Sequence, residues 1–271
     1  MRFRIVLCLA CVALLSLSLP TLSAPARPTY SALHFDGFND YVEVMDPIQC
    51  TTGPFTLEAW IWLEDAESDG RIVCNRSGGA GYEMDMLAQG GGVYRVRLGA
   101  NAGTMMDGYI DVAPQTWTHL AGTWAGTTGA TAKIYANGEL VNSADWGYEI
   151  NPSSGSFYIG SLATGTGFFH GVIDDVRVWS VVLDQATIQT WMWKPIDASH
   201  PNYANLEGYW PFDEGSGQLA ATLAHSPARD GQLGEEAGED GSDPVWTTNV
   251  SPVPVEPTSF GRIKGSWLLS R

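Results

Sequence analysis

Between Phe55 and Glu64 the chain reads FTLEAWIWLE, and its residues sort by parity. Phe55, Leu57, Ala59, Ile61 and Leu63 fall on one side of an extended strand. Thr56, Glu58, Trp60, Trp62 and Glu64 fall on the other, because side chains alternate with period two. An aliphatic row backed by indoles and carboxylates predicts a long strand of a two-layer sheet stack, with the aliphatic row inside and the indoles partly covered by loops. The same rhythm recurs in shorter runs at Ser31–Asp36, Tyr41–Val44, Arg71–Asn75, Gly81–Leu87, Val93–Leu98 and Asp107–Val112. It continues at Trp117–Trp124, Thr131–Tyr135, Glu139–Asn142, Ser156–Gly160, Val172–Trp179 and Leu206–Phe212. Turn residues punctuate the runs, and Asn137-Gly138 is a strong two-residue hairpin signal, since both residues accept positive φ. Regularly spaced short strands of this kind predict an all-β, two-sheet antiparallel sandwich. Helical spacing is convincing once: Asp184 can cap the segment 185–193, whose Ile188, Trp191 and Met192 share a face.

The termini read differently. Arg2 and Arg4 precede an apolar run from Ile5 to Leu19 that is too short to span and anchor, followed by Pro20 and small residues. That is the pattern of a secretory signal peptide over residues 1–26, with Ala24-Pro25-Ala26 as the cleavage site. Cys8 and Cys11 leave with it, and the mature chain is expected to be secreted or at the cell surface without inserting into a membrane. In that oxidising setting Cys50 and Cys74 are expected to form a disulfide. At the other end, residues 251–271 read as a Pro-rich linker and tail. The chain carries 14 basic and 30 acidic residues, a formal charge of −16, which argues against nucleic acid and anionic membranes as partners.

Taken in order, ALHFDGFNDYVEV, FTLEAWIW, GYEMDM, WTHLAGTW, KIYANGELV, FYIGS and GVIDDVRVWSVVLDQATI resemble the laminin G-like, concanavalin A-like jelly roll of secreted bacterial proteins. The resemblance runs from Ser31 to Trp191, within a domain at 27–195. The later LEGYWPFDEGSG, DGQL and DPVW are similar to a strand pair that recurs beside such modules, so 196–250 is expected to complete or flank the sandwich. An acidic residue that members often place shortly before the loop at Leu223–Pro227 is missing here. The resemblance implies two antiparallel sheets of about six to seven strands each, the first and last strands side by side. It does not imply one activity, because this fold carries lectins, adhesins, glycosidases and inert spacers.

Three constellations carry candidate chemistry. The turn Asp36-Gly37-Phe38-Asn39-Asp40 gathers carboxylates, an amide and carbonyls, the hard oxygens that calcium takes. If first and last strands are neighbours, Asp174 would complete the shell, so a structural Ca2+ on Asp36, Asn39, Asp40 and Asp174 is expected. Second, Glu83-Met84-Asp85 resembles the carboxylate strand of retaining β-glucanases on this fold, but Leu87 and Ala88 stand where the partner acid belongs. Retaining hydrolysis needs two carboxyl groups across the bond, so no catalysis is expected. His119 has no second ligand nearby and reads as a packed or hydrogen-bonded core residue. Third, the chain has 11 tryptophans. Most sit in apolar strands, whereas Trp146 and Tyr148 lie in a polar loop-like stretch and form the candidate platform for a sugar ring. A secreted, non-catalytic module that binds glycans or cell-surface glycoconjugates is the expected function. A glycoside hydrolase on the same fold and a ligand-free spacer are the alternatives.

Overall fold

The computed structural model describes residues 31–248 other than 46, 47, 49–52, 66, 102, 148, 163, 164, 225–228, 236 and 237. The first strands are β1 (Ser31–Asp36), β2 (Val42–Val44), β3 (Phe55–Leu63), β4 (Gly70–Cys74), β5 (Tyr82–Ala88) and β6 (Val93–Ala100). Next come β7 (Gly103–Asp111), β8 (Trp117–Trp124), β9 (Thr131–Ala136), β10 (Glu139–Asp145), β11 (Phe157–Ile159) and β12 (His170–Trp179). The helix α1 (Gln185–Trp191) follows, then β13 (Leu206–Trp210), β14 (Leu219–Ala220), β15 (Gly231–Leu233) and β16 (Val245–Thr248). One sheet runs β10-β9-β8-β3-β12-β1-β16, with β13 also on β12; the other runs β14-β15-β2-β11-β4-β5-β6-β7. This is the expected sandwich, antiparallel throughout, with one short helix after the long strand β12.

Each sheet holds eight strands among the described residues, more than expected. The additions come from the segment after α1, which gives β13 and β16 to one sheet and β14 and β15 to the other. Two hairpins are also longer than their patterning. β7 begins at Gly103 because it pairs β6 up to its turn, and β10 reaches Asp145 opposite Thr131. In the β9–β10 turn, Asn137 and Gly138 take φ of 49° and 77°, as the dipeptide predicts.

The strand β3 sits near the middle of its sheet, between β8 and β12. Its row Phe55, Leu57, Ala59, Ile61 and Leu63 lies wholly inside the core, packed with residues such as Phe35, Met84 and Leu98. The opposite face is covered more completely than expected: Trp60 is fully buried, and its Nε1 donates to the Met192 carbonyl at 2.8 Å. Arg177 donates to the carbonyls of Trp191 and Lys194 and pairs with Asp175, so the chain around α1 is bonded down onto this face. Beneath it, Trp179 donates to Glu58 at 2.7 Å, and His119 Nε2 lies 3.5 Å from the same carboxylate. Burial pushes the Glu58 carboxyl up, but His119, Arg177 and Trp179 outweigh it and hold it below its usual value. His119 is thus the buried, partnered core residue that its strand predicts.

Candidate functional site

The turn after β1 is built by local bonding. Asp36 Oδ1 accepts the Phe38 and Asn39 N–H groups at 2.7 and 3.3 Å, and Asp40 Oδ2 accepts the Asp36 N–H at 2.8 Å. Gly37 has φ of +79°, and a Cβ there would stand 2.8 Å from that of His170. Asp40 is 4% exposed, and burial first, then Asp36 and Asp243, push its carboxyl up to about 6. Asp174 does not join this turn. β1 and β12 are neighbours as expected, but Asp36 stands opposite His170, and Leu33 opposite Ile173. Asp174 therefore lies four residues further along, about 13 Å at ~3.3 Å per residue. It is buried there, with Oδ1 accepting the Asp175 N–H at 2.9 Å. The four expected ligands do not converge. Among the described residues no group of three or more His, Cys, Asp or Glu side chains is placed to hold a metal ion.

Beside the turn opens a groove of about 690 Å³. Its walls follow from strand parity. Val42, Val44, Phe157 and Ile159 point into the core, so Tyr41, Glu43 and Tyr158 face outward. Tyr158 pairs with Glu43 across β11 and β2, and its hydroxyl donates to the Glu43 carboxylate at 2.9 Å. Tyr41 is its diagonal neighbour, and the two rings lie 5.9 Å apart at 56°. Phe168 and Leu162 add apolar surface. The chain after Tyr158 reaches the groove through Gly160 at φ +84°, where a Cβ would lie 2.3 Å from the Phe35 ring. Ser161 follows it into the lining, 1% exposed, and its hydroxyl has no hydrogen-bond partner among the described residues.

The far wall is the loop after β15. Gly234 N–H donates to the Tyr41 carbonyl at 3.0 Å, and Tyr41 N–H to the Ser242 carbonyl at 3.4 Å. These bonds bring Glu235, Asp240 and Ser242 to the groove, and the Asn39 amide donates to the Gly241 carbonyl at its rim. Burial, then Glu235, Glu43, Asp240 and Asp243, raise the Tyr41 phenol; burial and the bond to Glu43 push that of Tyr158 up to about 12. Two aromatic faces among hydroxyl, amide and carboxylate groups form a surface on which a sugar ring can stack while its hydroxyls are bonded.

The expected platform is placed elsewhere. Trp146 is half-buried, packs against the main core, and lines a separate groove of about 710 Å³ with Asn101, Glu149 and Asn151. The Asn101 side chain there is engaged by the Glu149 carbonyl at 2.6 Å and the Asn151 N–H at 2.8 Å. Tyr148 lies outside the described residues. Tyr41, Tyr158 and Ser161 were not among the candidates, although alternation marks both tyrosines as outward-facing.

On the outer face of the second sheet, Glu83 and Asp85 point the same way, as parity predicts, and both are buried. Arg97 holds Asp85 with two hydrogen bonds, one of 2.7 Å, and Arg76 holds Glu83. Arg71 stands 3.5 and 3.7 Å from the two carboxylates. Acids held by arginines on several sides form a structural network, without the open pair that glycoside cleavage needs. Cys74 is buried at its edge, its sulfur accepting the Arg76 N–H at 3.3 Å. Cys50, its expected partner, lies outside the described residues.

Residues 35–189 match the family model of the concanavalin A-like lectin/glucanases superfamily. Among solved structures, a proposed carbohydrate-binding protein from Bacteroides ovatus superposes with a TM-score of 0.61 at 24% identity, covering 85% of this chain. The chain spans 63% of the length of that protein. A heptameric SAP-like pentraxin from Limulus polyphemus gives 0.49 at 18% identity, with 62% of this chain and 83% of the pentraxin covered. Domain 4 of an extracellular arabinanase from Geobacillus stearothermophilus, in complex with arabinotriose, gives 0.46 at 18%, covering 59% and 75%. No curated protein has a matching sequence.

Proposed function

The chain belongs to the concanavalin A-like lectin/glucanases superfamily, and from that premise we propose that it is a secreted, non-catalytic module that binds glycans in the groove between Tyr41 and Tyr158. One observation carries the reading. Two half-buried tyrosine rings lie side by side in a groove whose polar side chains are hydroxyls, an amide and carboxylates. Stacking on the apolar face of a pyranose needs such rings, and the polar groups around them give orientation. The Bacteroides ovatus protein of similar fold, itself proposed to bind carbohydrate, supports the reading. The arginines on Glu83 and Asp85 argue against hydrolysis. The reading does not depend on the expected Asp174 ligand, which stands apart from the Asp36–Asp40 turn.

A glycan array followed by calorimetry tests this. The native chain should retain one class of oligosaccharide without releasing new reducing ends, and Tyr41→Ala should weaken binding at least about tenfold, the scale of a lost aromatic contact. Trp146→Ala, in the other groove, should leave the affinity unchanged. Silence on the array, or loss of binding through Trp146→Ala alone, would refute the assignment.

A further inference from the structure

Resting on that reading, we propose that the groove selects a cationic amino sugar over neutral and acidic ones, with the Ser161 hydroxyl as a further specificity contact on its floor. The charges are one-sided. Glu235 and Asp240 line the groove, Glu43 stands beside Tyr158, and no Lys or Arg side chain is among the lining residues described. Burial first, and then the carboxylates of Glu235, Glu43, Asp240 and Asp243, raise the Tyr41 phenol, which places all four acids within reach of that ring. Into such a groove a uronate or sialate brings like charge against like charge. An ammonium group meets carboxylates and the faces of two tyrosine rings, both of which attract cations.

Ser161 supplies the independent observation. A buried hydroxyl ordinarily finds a partner within the fold. This one follows Gly160 into the groove lining, and no hydrogen bond among the described residues uses it. Such a group is satisfied when a ligand atom reaches it, and a hydroxyl can accept from an ammonium as readily as donate to a sugar oxygen.

The test uses the full mature chain and three probes in calorimetry: a β-1,4-linked glucosamine tetrasaccharide, its fully N-acetylated counterpart, and tetragalacturonate. A pH of about 6, below the range in which a free α-amino group titrates, keeps the amines charged. The glucosamine oligomer should bind at least about tenfold tighter than the acetylated one, with an advantage that shrinks as salt is raised, and the uronate should not bind. Glu235→Gln with Asp240→Asn should bring the first two probes within about threefold of each other. Ser161→Ala should cost about five- to tenfold in affinity for the glucosamine oligomer while the melting temperature holds or rises, because the variant removes an unsatisfied buried group. A merely structural serine would lower the melting temperature on replacement and leave affinity alone, which overturns its role. Equal or tighter binding of the acetylated oligomer or the uronate overturns the charge selection and leaves glycan binding in place. No binding by any probe, with silence on the array, removes both.

Discussion

Replacing Arg97 by methionine tests whether the Glu83–Asp85 strand is structural. Arg97 on β6 stands directly opposite Asp85 on β5 and holds both of its carboxylate oxygens. That hydrogen bond, more than any other influence, raises the guanidinium above its usual value. Asp85 is wholly buried, so the variant leaves a carboxylate in the sheet without its main partner. Breaking a buried ion pair from one side costs roughly 3–5 kcal/mol. Two features lower that figure. The Arg97 side chain is 21% exposed, and Arg71 remains 3.7 Å from Asp85. A loss of about 2–4 kcal/mol is therefore expected, or about 5–15 °C in melting temperature for a fold of this size. Urea and thermal unfolding followed by tryptophan fluorescence would read it. The double variant Asp85→Leu with Arg97→Met, which removes both charges, should recover most of the loss. A single variant that loses under about 1 kcal/mol, or a double variant as unstable as the single, would refute the account. Asp85 would then be free enough to act, and the argument against hydrolysis would fall with it.

Other expectations rest on single features. Gly160→Ala puts a Cβ 2.3 Å from the Phe35 ring at a positive φ, so it should destabilise by about 2–4 kcal/mol in urea melts and weaken glycan binding through Ser161. Asp40 titrates near 6 in the fold against 3.8 unfolded, so its charged form is disfavoured in the native state, and stability falls as pH rises through that window. Asp40→Asn, which keeps an oxygen for the Asp36 N–H, should raise stability by about 1–2 kcal/mol near neutral pH. That gain should vanish below the unfolded value. His200 has the opposite sign: burial lowers it from 6.5 to about 4 where it stacks on Trp179, so the fold is fully supported above 6.5 and loses stability as pH falls toward 4. His200→Phe should flatten the melting temperature across that interval.

What could be foreseen here divides by the kind of information each feature needs. Parity is local, and it placed correctly every inward residue of β3 and the shared direction of Glu83 and Asp85. Applied to YVEV and FYIG it also turns Tyr41 and Tyr158 outward, so half of the groove is legible in the alternation. Register is different. That β1 lies beside β12 was implied by the resemblance, yet adjacency does not say which residues face each other. An offset of four positions sets Asp174 apart from Asp36, Asn39 and Asp40. The far wall was least accessible. Glu235 and Asp240 come to Tyr41 through two backbone hydrogen bonds that span nearly the whole folded chain, and an acidic loop carries no periodicity that would announce them. Burial adds a further layer: Glu83 and Asp85 look like reactive acids until the arginines around them are placed, and Ser161 looks like an ordinary turn residue until its hydroxyl finds no hydrogen bond among the described residues. The chemistry of this surface is therefore set by contacts between segments far apart in the chain, on a scaffold whose pleat alone is written locally.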